Sequence, residues 1–266
     1  MSEVRRKLKG LEAMSRIYSV PGYPVEPQID KKTVVEFFDQ RAKKIASVGP
    51  LHAVIYQDKN TAFAKKRDIA EKAKLLPLLR LDGRQRVLDV GCGTGRWANE
   101  LVSESAWYQG IDSCEGLVDY ARHCFSAMAN CRFTVAAADD FSLEGLGERN
   151  SFDRVLCAGV LIYLNDSEVQ QALRCIAAAL SPGGLFVLRE PVGLGRRLTI
   201  AKHYSEEMEQ DYSAVYRTRE ELETLICKEM PEPAFHLIRS GDVYDDPGLN
   251  NRSDTRQQWF LLERKA

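Results

Sequence analysis

The chain of 266 residues contains no apolar run of about eighteen residues or more, so a membrane-spanning helix is not expected. Its charged opening, Met1-Ser2-Glu3-Val4-Arg5-Arg6-Lys7, lacks the apolar centre of a secretory leader, and Glu3 and Glu12 break the basic pattern of a transit peptide. Charge of one sign is also missing. With 37 Lys and Arg against 38 Asp and Glu the formal net charge is −1, and nothing draws the chain as a whole toward nucleic acid. The clusters Arg5-Arg6-Lys7-x-Lys9 and Arg41-x-Lys43-Lys44 read as solvated helix faces or a loose terminus. Seven cysteines, at 92, 114, 124, 131, 157, 175 and 227, include no C-x-x-C pair. That odd, scattered set argues against a disulfide framework or a zinc site and for a reducing, cytoplasmic setting.

What the chain does have is a strand that breaks into alternating glycines. In Arg86-Val-Leu-Asp-Val-Gly-Cys-Gly-Thr-Gly95, Val87, Leu88 and Val90 form a buried run, and Gly91, Gly93 and Gly95 allow positive φ and close approach of a ligand to bare main chain. A helical stripe of Trp97, Ala98, Leu101 and Val102 follows, and its N-terminal N–H groups point over the turn. Dinucleotide folds place a third glycine three residues after the second, in the pattern G-x-G-x-x-G, where this chain has Arg96. A pyrophosphate is therefore not demanded. Asp112, ending the stretch Trp107-Tyr-Gln-Gly-Ile111, is placed to accept both ribose hydroxyls of an adenosine. Asp89, just before the turn, is expected to fix it by accepting backbone N–H bonds.

With these residues the chain resembles the class I S-adenosylmethionine-dependent methyltransferases of small-molecule type over roughly residues 75–190. The resemblance implies a cofactor site of Asp89, Gly91, Cys92, Gly93, Gly95, Asp112, Ser113, Asp139, Asp140 and Ala158. Asp112 matches the family's ribose-binding acid and Asp139 the acid beside the adenine edge. Asp140 also suits a simple turn cap, and Cys92 suits the loop by small size rather than reactivity. Ser151 to Ala158 looks like the fourth strand of the family, and Leu180-Ser-Pro-Gly-Gly-Leu185 like the turn into its fifth.

Strands and helices alternate from Arg86 to Arg189, which predicts a parallel sheet with helices on both faces. The expected architecture is an α/β, Rossmann-like, doubly wound and mostly parallel seven-stranded sheet with an N-terminal helical cap and a C-terminal antiparallel strand. Residues 1–80 read as a proline-rich arm and that cap, 81–190 as the cofactor-binding core, and 191–266 as a substrate-side insertion plus the last strands of the same sheet. In the cap, 33–46 and 60–79 carry helical patterns, and 51–59 is an aromatic and polar segment. Asn165 and Glu168 have capping-box spacing ahead of the stripe Val169, Ala172, Leu173, Ile176, Ala177 and Leu180. Ala234–Ile238 and Gln258–Leu262 fit the final strands.

The acceptor pocket is expected outside the core motifs, from Tyr56, Tyr163, Tyr204, Tyr212, Tyr216 and Arg217, with the tyrosines as walls. Glu190 and His203 are the candidate general bases. The histidine titrates nearest working pH, and Glu190 stands at a strand's carboxyl end but could instead pair with Arg189 or Arg196. Set against the family, the fourth strand ends in Cys157-Ala158 rather than a magnesium-binding acid, so no metal is expected. No Asn/Asp-Pro-Pro-aromatic sequence of base-methylating enzymes follows it, and the paired glutamates of protein arginine methyltransferases are not evident. The expected reaction is methyl transfer to an O or N atom of a polar small molecule such as a sugar, sugar nucleotide or specialised metabolite. An RNA or protein methyltransferase, or a non-catalytic cofactor-binding subunit, stand as alternatives; a membrane or nucleic-acid partner is not expected, and oligomeric state is left open.

Overall fold

The computed structural model describes residues 15–19, 26–55, 58–250 and 252–266. Three helices precede the glycine motif: α1 (Lys31–Val48), α2 (Pro50–Ile55) and α3 (Thr61–Leu79). Asp30 caps α1 by accepting the Lys32 N–H, and Asn60 caps α3 by accepting the Phe63 N–H. The aromatic and polar segment at 51–59 thus begins as a short helix. Arg41 is the reason it can turn there: rather than facing solvent as its charge cluster suggested, it is fully buried. Its guanidinium holds Asp58 through two 2.7 Å bonds and donates to the carbonyls of His52 and Ala53 at 2.5 and 3.1 Å. A paired and fully hydrogen-bonded arginine is one that can be buried.

The main sheet contains β2 (Arg86–Val90), β3 (Trp107–Asp112), β4 (Cys131–Val135), β5 (Phe152–Ala158), β6 (Leu180–Gly193), β9 (Phe235–Asp242) and β10 (Thr255–Arg264), in the order β4-β3-β2-β5-β6-β10-β9. The first five run parallel, and β10 is antiparallel to both neighbours. Between strands lie α4 (Ala98–Leu101), α5 (Glu115–Cys124), α6 (Asp166–Ala179) and α7 (Arg219–Glu229). Side chains alternate along each strand, so Leu88, Val90, Phe186, Leu188 and Phe260 pack on α6 and α7. Val87, Leu185, Val187, Trp259 and Leu261 pack on the other face, with α3, α4 and α5. The capping box at Asn165 and Glu168 starts α6.

A separate antiparallel sheet orders β1 (Arg16–Ser19), β7 (Arg197–Ser205) and β8 (Gln210–Tyr216) as β1-β7-β8. Its β7 and β8 lie in the segment expected as a substrate-side insertion, and its β1 in the expected N-terminal arm. Leu198, Ile200, Ala214 and Tyr216 from this sheet close on Ile162 and Tyr163, with Val34 and Phe38 of α1 against them. The result is a lid over the carboxyl ends of the parallel strands, where open α/β sheets hold their ligands. No helix of the described residues is long and apolar enough to cross a membrane.

Candidate active site

β2 ends in a turn built of main chain. Gly91, Gly93 and Gly95 have φ of 75°, 54° and 81°, the left-handed region where glycine is at ease. A Cβ at Gly91 would lie 2.2 Å from Val160 Cγ2, so this backbone has to be bare. Ile111 pins the turn, its carbonyl accepting the Gly91 and Cys92 N–H groups at 2.8 and 2.9 Å. Asp89 does not, contrary to expectation. Its Oδ2 accepts the Tyr108 hydroxyl at 2.7 Å, its Oδ1 has no partner among the described residues, and burial pushes its carboxyl up to about 7.

Asp112, at the end of β3, accepts the Gly93 N–H at 3.0 Å and the Cys114 N–H at 2.9 Å, one on each oxygen. Burial raises its pKa and these two bonds oppose the rise. They fix the carboxylate's plane and leave lone pairs on both oxygens for a ligand. Asp139, just beyond β4, accepts Lys31 Nζ on Oδ2 at 3.1 Å, while its Oδ1 is buried with no partner among the described residues. A buried acceptor left unmade costs about 1–3 kcal/mol, which a ligand donor can recover.

Gly91, Gly93, Asp112 and Asp139 line a cavity of about 210 Å³. Val34 and Phe38 of α1 and Val54 and Ile55 of α2 cover it, Tyr163, Tyr212 and Tyr216 wall it, and Arg67, Glu71, Arg96, Arg189, Tyr244 and Gln257 form its charged end. Glu71 organises that end. Its Oε1 accepts Arg96 Nη2 at 2.6 Å and its Oε2 accepts Arg189 Nη2, with the Tyr244 hydroxyl 3.4 Å from the same oxygen. Burial drives the Glu71 carboxyl up, but the Arg189 and Arg96 guanidiniums outweigh it and hold the pKa at about 2.

Residues 87–184 match a family model described as a methyltransferase domain. Phosphoethanolamine N-methyltransferase 1 of Triticum aestivum is 31% identical over 147 residues, which cover 54% of this chain and 29% of that protein. Glycine N-methyltransferase of Rattus norvegicus is 33% identical over 135 residues, 47% of this chain and 46% of that one. The fold superposes with a TM-score of 0.65, at 17% identity, on phosphoethanolamine N-methyltransferase 1 of Haemonchus contortus solved with phosphoethanolamine and S-adenosylhomocysteine, covering 90% of this chain and 50% of that one. A methyltransferase domain thus spans residues 87–184, in a fold shared with this S-adenosylhomocysteine-bound enzyme. The chain spans less than half the length of these curated relatives.

The cavity gathers Gly91, Cys92, Gly93, Asp112, Ser113, Asp139 and Ala158 from the expected cofactor set. Asp89 does not line it. Gly95 stands behind the turn, where a Cβ would meet Phe125 and Ala121, and Asp140 is exposed in a turn that its N–H closes on the Ala137 carbonyl at 3.1 Å. On the acceptor side Tyr163, Tyr212 and Tyr216 line the cavity, the last two sharing a 2.8 Å hydroxyl–hydroxyl bond. Tyr204 does not, being 56% exposed on β7. Arg217 is buried behind the wall, donating to Asp166 Oδ1 at 2.7 Å and to the Leu161 and Leu164 carbonyls at 2.9 and 2.6 Å. Tyr56 lies outside the described residues.

Neither candidate base lines the cavity. Glu190 is 2% exposed, and its oxygens accept the N–H groups of Val160 and Leu161 at 2.8 Å each and of Ile162 at 3.2 Å. It shapes the segment that faces the cavity and pairs with neither Arg189 nor Arg196; burial raises its carboxyl to about 7. His203 sits on β7 with Nδ1 2.9 Å from Ser15 Oγ and Nε2 2.9 Å from the Arg16 guanidinium. Sequence reasoning missed Arg67, Glu71, Arg96 and Gln257 as cavity residues, and it set Arg189 beside Glu190 at the strand's carboxyl end without giving it a role. For Arg189 a signal existed: strand alternation puts it on the face opposite Glu190, so only one of the two can look into the site. Arg67 and Glu71, four apart on α3, share a helix face, but no motif marks them.

Proposed function

We propose that this methyltransferase binds S-adenosylmethionine across the carboxyl ends of β2, β3 and β4 and transfers its methyl group to an oxygen or nitrogen of a polar small molecule. The observation that carries the reading is the convergence, on one cavity, of a bare glycine turn with two aspartates whose oxygens retain accepting capacity. The main chain at Gly91–Gly93 would receive the amino-acid end of the cofactor. Asp112 would accept the ribose hydroxyls, and the orphan Oδ1 of Asp139 would accept from the adenine edge. When bound, the cofactor supplies an electrophilic methyl on a sulfonium that is its own leaving group.

The chain's remaining task is to position the acceptor and keep water out. Phe38, Ile162 and Tyr163 present apolar surface to the cavity, and holding two reactants in line contributes on the order of several kcal/mol to lowering the barrier. An amine acceptor needs only to lose a proton beforehand, so a dedicated base is not required by the chemistry. The cover of α1, α2 and the small sheet favours a small acceptor over a polymer. The relatives' names, phosphoethanolamine and glycine N-methyltransferase, likewise point to small polar acceptors. All seven cysteines are free thiols, which supports a reducing compartment such as the cytoplasm.

Incubation with methyl-labelled cofactor and a fractionated metabolite extract tests the proposal. Label is expected in a small-molecule fraction and is expected to disappear with Asp112→Ala. Label confined to added RNA or protein, or absent from every fraction, contradicts it.

A further inference from the structure

We propose that Arg189 and Gln257 form the anchoring site of the methyl acceptor and select acceptors that carry an anionic group, a carboxylate or a phosphate monoester. The inference rests on the methyltransferase reading above and adds the charge of the substrate to it.

Placement is the first argument. Asp112 and Asp139 follow β3 and β4, on one side of β2, so a nucleoside held by them extends away from β6 and β10. Arg189 and Gln257 belong to those two strands. Gln257 is paired with Pro191, two residues after Arg189, so the guanidinium and the amide stand on one face of adjacent strands. Their end of the cavity is the space a cofactor held by the two aspartates leaves to the acceptor.

Unused hydrogen-bonding capacity is the second. Arg189 spends Nη2 on Glu71, while its buried Nε has no partner among the described residues. Gln257 is 9% exposed, and its Oε1 also lacks one. The two ends of an amide exchange by a half-turn, so Gln257 can present its NH2 to an oxygen beside the guanidinium. Buried polar groups without partners are uncommon, and here two belong to residues of neighbouring strands that line one cavity.

Charge is the third argument. At this end the guanidiniums of Arg96 and Arg189 are held by the carboxylates of Glu71 and Asp68, so two fixed cations stand ready-oriented beside the cavity. Lys72, which also pairs with Asp68, is matched by Glu100. S-Adenosylmethionine, with a sulfonium, an ammonium and one carboxylate, is itself a net cation. An anionic acceptor offsets that charge in a site where water screens poorly, and a cationic acceptor is opposed by it. Glu71 acts as a positioning residue: it holds a guanidinium that lies against the bare main chain of Gly159, where a Cβ would come within 2.6 Å of Arg189 Nη1.

Calorimetric titration of the protein loaded with S-adenosylhomocysteine, using benzoate, phenyl phosphate and neutral benzamide as probes, tests this. At least one anion is expected to bind about tenfold or more tighter than benzamide, and Arg189→Gln to weaken that anion by a similar factor. Gln257→Leu is expected to weaken it about fivefold; should loss of a Glu71 partner keep Arg189→Gln from folding, Gln257→Leu carries the test. Both variants should bind S-adenosylhomocysteine within about twofold of the parent. Which anion binds separates carboxylate from phosphate recognition. Equal binding of anion and amide, or no effect of Gln257→Leu, overturns the proposal. A loss of S-adenosylhomocysteine affinity as large as the loss of anion affinity overturns it too, assigning the pair to the cofactor's own carboxylate. If the parent fails to bind S-adenosylhomocysteine at all, the methyltransferase reading falls with it; if it binds and no anion follows, only the anchoring site falls.

Discussion

At Glu190, three consecutive backbone N–H groups converge on one buried carboxylate, and removing it strands all three. Glu190→Ala is therefore expected to lower stability in urea by about 3 kcal/mol or more, and Glu190→Gln by less, since its remaining carbonyl oxygen still accepts. A fall in turnover with Glu190→Gln at unchanged stability would instead restore the residue as a base. Asp89 gives a pH signature. Burial lifts its carboxyl from 3.8 to about 7 in the folded chain, so between roughly pH 4 and 7 the folded state keeps a proton that the unfolded state releases. Stability from this group is full at the acid end of that window and lost as pH rises through it. Asp89→Asn, which carries no charge at any pH, is expected to show a flatter stability curve than the parent across that window in urea melts at constant ionic strength. Parallel curves would contradict the shift.

Among the elements, the start of α6 shows what local sequence can reveal. Asn165 and Glu168 carry the cap in four residues, and the structure adds a role no local pattern contains: the Asn165 amide exchanges hydrogen bonds with the N–H and carbonyl of Ile29 at 2.9 and 3.0 Å. Asn165→Ala is expected to cost about 1–2 kcal/mol for the cap and to raise hydrogen exchange at Ile29 in the same variant. Protection unchanged at Ile29 would show that the arm is held elsewhere. The parallel strands were legible for the same local reason, because each is an apolar run between amphipathic helices. The small sheet was not. β7 pairs with β1, more than 170 residues away by its Arg16–Ile200 pair, which leaves no local period to read, and its hairpin to β8 turns through 206–209, where no Gly, Asn or Asp marks a turn. Arg41 and Glu71 were invisible for a related reason: a charged residue is buried only when distant groups satisfy it.

Taken as a molecule, the chain puts its recognition groups on two supports. The glycine turn, Asp112 and Asp139 stand on the parallel sheet and were legible as spaced motifs, whereas the cavity's cover and charged end come from α1, α2, α3 and the strands β6 and β10. Side chains from so many elements share no spacing in the sequence, so the acceptor end emerged only from the fold. The central claim, that this cavity holds the cofactor, is tested most directly by calorimetric titration with S-adenosylhomocysteine of the parent and of Asp112→Ala. Saturable binding at one site per chain is expected for the parent, weakened about tenfold to a hundredfold in the variant by loss of charge-assisted hydrogen bonds. No saturable binding by the parent, or equal affinity in a folded Asp112→Ala, would contradict it.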